Sequence, residues 1–185
     1  MKAAIGAGKH VHCEWPLGNR LAEAEAMAGL ARGKGVLGVI GTQARVAPEI
    51  EHLRRLITDR FVGEVPSTTL IGSGGTWGPE VDQANAYVLD RANGATMLTI
   101  PFGHTMAAVQ AVLGEVAELS ARLATRRTAA PVVETGETRP MTAPDQVLIE
   151  GVLASGAPIS VHYRGGVPRG TGSCGRSTAP KVTSR

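Results

Sequence analysis

The spacing of apolar residues changes from segment to segment along this chain, and those changes mark out its elements. Residues 36–40 form a short apolar run and residues 65–71 a β-branched one, both bounded by turn residues, as in buried strands. Behind Pro48, Ile50, Leu53, Leu56 and Ile57 recur at helical intervals, with Glu51, Arg54 and Arg55 on other faces. That pattern predicts a helix opening at a proline. Residues 21–32, rich in Ala, Glu and Leu, predict another, with Asn19 as N-cap and Gly33 and Gly35 as its stop. Ahead of it, residues 10–13 read as a strand and the first ten residues as a helix end with its exit turn. Residues 1–42 therefore read helix end, strand, helix, strand, a βαβ unit entered from its middle.

The second half has a different rhythm. Residues 72–93 are glycine-rich and aperiodic, and a loop of that length is usually functional or disordered. Residues 94–113 predict a mostly apolar, buried helix with a break near Pro101. Residues 116–125, 145–153 and 158–164 read as strands, the last two joined by a hairpin turn at Ser155-Gly156-Ala157. Strands that follow one another through turns indicate an antiparallel sheet. Residues 167–185, rich in Gly, Ser, Thr and Pro, read as a disordered tail.

Composition refines this only a little. Aromatic residues are 3% of the chain, so aliphatic side chains and alanine must fill the core. The net charge of +3 is spread along the sequence apart from Arg54-Arg55 and Arg126-Arg127, which argues against a nucleic-acid-binding module. Cys13 and Cys174 are far apart and without metal-ligand spacing, as in a reducing compartment. No apolar run approaches the roughly 18 residues of a membrane span, and no secretory core opens the chain. A soluble, cytoplasmic protein without a membrane partner is expected. His10 and His12 share a strand face but have no third ligand nearby, so no metal site is expected.

The run Ala7-Gly8-Lys9-His10-Val11-His12-Cys13-Glu14-Trp15-Pro16-Leu17 resembles the AGKHVxxEKPL segment of the Gfo/Idh/MocA family, the glucose–fructose oxidoreductase and inositol dehydrogenase group. Further landmarks follow in family order: Gln43-Ala44-Arg45 to Pro48, Leu56-Ile57 to Gly63-Glu64-Val65, and Gly94 to His104. The galactose-regulon-repressor branch is the most similar, through Glu14-Trp15-Pro16-Leu17, Phe102-Gly103-His104-Thr105, and Pro144-Asp145-Gln146 with Tyr163-Arg164-Gly165-Gly166. The resemblance implies an α/β protein. Residues 1–42 would be the later part of a Rossmann NAD(P)-binding domain. Residues 43–166 would form an α+β domain with an open, mainly antiparallel sheet, which supplies a sugar or polyol pocket and a homodimer surface.

The resemblance also assigns residues. Glu14, Trp15, Pro16, Gln43 and Arg45 fall at the NAD or NADP side, with Pro16 a candidate cis-proline. His104 is the candidate catalytic group, and Trp77 and His104 are candidates for the substrate pocket. Bland alternatives stand beside these: a solvated carboxylate for Glu14, core packing for Trp15 and His104, a surface ion pair for Arg45, a loop anchor for Trp77.

Three departures bear on activity. The family's lysine position is Trp15, its aspartate position is Ile100, and no glycine-rich loop precedes the first strand. Oxidising a hydroxyl requires a group to take its proton. Trp cannot ionise at that task, and Ile cannot orient an imidazole. Gly170-Thr171-Gly172-Ser173-Cys174-Gly175 matches G-x-G-x-x-G but has no acidic residue after it, so it is not read as a dinucleotide site. The sequence points to an impaired oxidoreductase-family fragment, or alternatively to a non-catalytic nucleotide-binding regulator.

Overall fold

A computed structural model describes residues 1–166 and the backbone of residues 174–178. The N-terminal unit runs α1 (Lys2–Gly6), β1 (Val11–Glu14), α2 (Leu21–Gly33) and β2 (Gly38–Gly41). β1 and β2 pair in parallel, from Val11 opposite Gly38 to Glu14 opposite Gly41, with α2 as the crossover that parallel strands need. α2 departs from the expected capping. Arg20 holds the N-cap without a side-chain bond, whereas Asn19 Nδ2 donates to the Ala92 carbonyl at 2.9 Å. A long-range partner thus takes the side chain that local spacing assigned to the helix.

α3 (Pro48–Thr58) opens at its proline as the spacing predicts. After β3 (Ser67–Ser73), the helix expected from residue 94 begins only at Pro101 and runs to Leu113 as α4. The cause is a local turn. Thr99 Oγ1 donates to the Gly94 carbonyl at 2.5 Å and accepts from Thr96 N–H at 2.8 Å, and proline, with no N–H to lose, suits the first helical position. The stretch between is less irregular than its composition suggested. It holds two 3-10 turns, Gln83–Leu89 and Arg91–Asn93. Together with β5 (Ala129–Pro131) and β6 (Thr138–Pro140), which the alternation of residues did not reveal, it closes over a small core of Val81, Val88, Leu89, Val132 and Met141.

The main sheet joins β3 to β4 (Val116–Ala124), β7 (Gln146–Leu153), β8 (Pro158–Arg164) and β9 (Cys174–Thr178) in the order β4-β7-β8-β3-β9. Among the described residues only the β3–β8 pair of this sheet is parallel, so the sheet is mixed and mostly antiparallel, as expected. One face packs on α4. Val147, Ile149, Val161 and Tyr163 meet Met97 and Phe102 there, the rings of Phe102 and Tyr163 lying edge to face at 5.4 Å. The other face, with Leu148 and Val152, is open. β9 corrects the expectation of a wholly disordered tail, because backbone pairing with β3 needs no apolar period. The rest of that expected tail, 167–173 and 179–185, lies outside the described residues.

Asp145 ties the strand ends together. It is fully buried. Its carboxylate accepts from Arg126 N–H at 2.7 Å and Arg127 N–H at 3.1 Å, and Arg127 Nη1 lies 3.3 Å away. Its own N–H donates to the Ala124 carbonyl, and its carbonyl accepts from Gly165 N–H. One residue therefore fixes the exits of β4 and β8 beside the start of β7.

The N-terminal unit docks on α4 through Trp15, whose peptide bond to Pro16 is cis, as the resemblance suggested. The Trp15 indole N–H donates to the Thr99 carbonyl at 2.5 Å. Gly103 makes room for the ring, since a Cβ there would lie 2.6 Å from Trp15 Nε1.

Two outcomes follow. Asp145→Ala leaves the Arg127 guanidinium and two backbone donors without their anion, and should cost about 3–5 kcal/mol in urea unfolding; a loss below 1 kcal/mol would contradict the tying role. Gly103→Ala should cost about 1–3 kcal/mol by overpacking. Trp15→Ala should relieve most of that penalty, so a double-mutant cycle that shows additive effects would remove this docking contact.

Candidate functional site

Parallel pairing sets the carboxyl ends of β1 and β2 side by side, the crest at which open α/β sheets bind ligands. Glu14 ends β1, and Gln43 begins the 3-10 turn Gln43–Val46 just after β2. Gln43 Nε2 donates to Glu14 Oε2 at 2.8 Å, and both side chains are exposed. The pair combines a carboxylate acceptor with an amide, a set able to hold vicinal hydroxyls. Gly41 lies close by, where a Cβ would come within 3.4 Å of the Glu14 carboxyl carbon and the His12 ring.

Trp15 turns away from this pair to α4, one residue before His104 in that helix. Its indole donor is already committed to Thr99. Arg45 is exposed on the wall of a cleft of about 420 Å³ that also includes Thr42, Glu51, Arg54 and Ala111. Arg54 there is paired with Glu51 at 2.7 Å.

A second cleft, of about 470 Å³, forms under the long 74–93 segment. Trp77 and Ile100 share its wall with Glu80, Asp82, Asn85 and Tyr87. Asp82 caps the following turn, its two carboxylate oxygens accepting from Asn85 N–H at 2.8 Å and Asn85 Nδ2 at 2.9 Å. The Asp-x-x-Asn spacing carries that cap in sequence, although neither residue stood out as a pocket group. His104 is half-buried on the first turns of α4, its N–H bonded to the Ile100 carbonyl at 2.9 Å, and it lines neither of these clefts. The structure thus joins Glu14 to Gln43, sets Trp15 beside the helix of His104, and keeps Trp77 apart with Ile100.

Neither α2 nor α3 offers an open seat to a dinucleotide's pyrophosphate. Such a group seats on free N–H groups at a helix N-terminus. At the start of α2, Glu23 Oε2 already accepts from Asn19 N–H at 2.8 Å. The first turn of α3 carries Glu49 and Glu51, whose charge repels an anion. The G-x-G-x-x-G match near the C-terminus ends in β9 at Cys174-Gly175, a strand and not a helix opening, and its other residues lie outside the described ones. Among the described residues, no group of three or more His, Cys, Asp and Glu is arranged to hold a metal ion. No helix of the described residues is long and apolar enough to cross a membrane. His10 Nδ1 accepts from Leu37 N–H at 2.9 Å, so that nitrogen already has a partner.

Comparison with known proteins agrees with this architecture. The profile of the Gal80p C-terminal domain matches residues 48–174. The galactose/lactose metabolism regulatory protein GAL80 of Saccharomyces cerevisiae is 29% identical over 168 residues, covering 86% of this chain and 39% of that protein. The crystal structure of its G301R super-repressor mutant superposes with a TM-score of 0.87 at 27% identity, over 94% of this chain and 46% of the other. An NAD-binding oxidoreductase from Klebsiella pneumoniae superposes with a TM-score of 0.80 at 26% identity, over 96% of this chain and 48% of the other. This chain spans less than half the length of each of these proteins. It belongs to the Gal80p C-terminal-domain family, within the Gfo/Idh/MocA oxidoreductases.

Proposed function

We propose that this chain is the rear part of a NAD(P)-dependent oxidoreductase-family protein of the sugar or polyol type, with its hydride-transfer chemistry impaired. Residues 1–42 are the later portion of a Rossmann domain, and residues 43–166 are the second, α+β domain. Glu14 and Gln43 take ribose hydroxyls, Trp15 and Pro16 border the nicotinamide side, and Arg45 closes the cleft. Trp77 offers an aromatic face to a sugar ring in its cleft, and His104 is the one proton-handling group retained. The C-terminal sheet is the surface of a homodimer.

The observation that supports impairment is the fixed indole of Trp15. It occupies the lysine position, carries no titratable proton, and spends its only donor on the Thr99 carbonyl. Ile100, at the aspartate position, offers a hydrocarbon wall where an acceptor would be needed. Neither Trp15 nor Ile100 can then orient His104 or share with it the handling of a hydroxyl proton. With carboxylates at the N-termini of α2 and α3, these two helices have little hold on the cofactor's pyrophosphate.

A second function, a nucleotide-binding regulator without turnover, is favoured by the same indole and by the likeness to a regulatory protein of galactose metabolism. One experiment separates the two. The chain incubated with NAD or NADP and a panel of aldoses, ketoses and polyols should give no change in nicotinamide absorbance above a protein-free control. Turnover of any member of the panel would overturn the proposed impairment. Calorimetric binding of NAD without turnover would move the assignment to the regulator.

A further inference from the structure

The cleft of about 470 Å³ that Trp77 and Ile100 share carries two carboxylates, Glu80 and Asp82, and its described lining residues include no Lys, Arg or His. Local structure puts the acids there. Val81 is buried and bridges to Val132, and an extended backbone turns the residues on either side of it to one side. Asp82 accepts from the Asn85 N–H and from its amide nitrogen, but an amide carries no charge, so the cap leaves the negative charge of Asp82 in place. Glu80 is exposed, and among the described residues it has no hydrogen-bond or ion-pair partner. Two aromatic side chains complete the wall. Trp77 packs against both apolar cores and is held in place by them, while Tyr87 is 51% exposed and open to a ligand.

A cleft lined by one sign of charge concentrates ligands of the other sign. Aromatic faces add to the attraction for a cation. The volume is that of a small-molecule site, far more than an ammonium ion alone would fill. Thr76 and Asn85, also on the wall, bring a hydroxyl and an amide oxygen able to bond the hydroxyls of a polyol. We propose that this cleft takes a sugar or polyol that carries a primary ammonium group. Glu80 and Asp82 supply the counter-charge, and the Trp77 and Tyr87 rings flank the ligand. The same charge turns away sugar acids and sugar phosphates. The inference rests on the assignment of Trp77 to a sugar pocket, and adds to it the charge of the sugar and the residues that select it.

The test is a titration of the full chain with D-glucosamine, D-glucose and N-acetyl-D-glucosamine, followed by the NMR signals of Trp77 and Tyr87. Mildly acidic pH keeps the amine protonated and the carboxylates ionised. Glucosamine should shift both signals and bind about tenfold more tightly than either neutral sugar, and added salt should narrow that preference. Glu80→Gln, at an exposed position, should leave the circular dichroism unchanged and remove most of the preference. Tyr87→Leu should weaken glucosamine binding in the same way. Glucose and glucosamine binding equally at Trp77, or a preference that survives Glu80→Gln, would overturn the charge selection and leave the sugar pocket standing. Failure of all three sugars to move the Trp77 signal would overturn the pocket and this inference with it.

Discussion

A carboxylate sealed away from water must be surrounded by donors, and in this fold Asp145 is that carboxylate. The charge cannot be left unpaired without a cost of several kcal/mol, so the chain leaving β4 must return its backbone N–H groups to the start of β7. Arg127 then reaches on to the Gly165 carbonyl and holds the end of β8 in the same place. Three strand ends meet at one ion pair, and the apolar face that receives α4 is aligned as a result. The long segment above it, with the small core around Val132, is carried on this frame.

Much of the fold can be read from the residues because local and tertiary preferences agree there. Pro48 and the apolar spacing behind it yield α3, and Ser155-Gly156-Ala157 yields the β7–β8 hairpin. Where the two preferences part, the sequence misleads. Asn19 has the chemistry of a cap, yet its amide is taken by Ala92, 73 positions along the chain. β5, β6 and β9 are short or polar and owe their pairing to backbone geometry, which leaves no hydrophobic period to detect.

The candidate site divides in the same way. The chemistry of Trp15 and Ile100 is legible from their side chains alone, because neither can handle a proton at those positions. Their placement is not. The bond between Gln43 and Glu14 joins residues 29 apart, and the pairing of Trp77 with Ile100 in one cleft depends on how the 74–93 segment folds over. His104 fits both a packing role and a chemical one, and its half-buried position on α4 keeps it on the helix that receives Trp15 without bringing it into the cleft of Trp77.

The parallel pairing of β3 with β8 carries a kinetic consequence. β7 and β8 can meet across a tight turn, but Thr68 must find Ile159 about ninety residues away. Chain-entropy scaling makes that closure costlier by roughly 2–3 kcal/mol than closing the hairpin. The β7–β8 ribbon should accordingly be present in the folding nucleus, while β3, and the whole segment that hangs between it and α4, settles onto the ribbon only after the barrier is crossed.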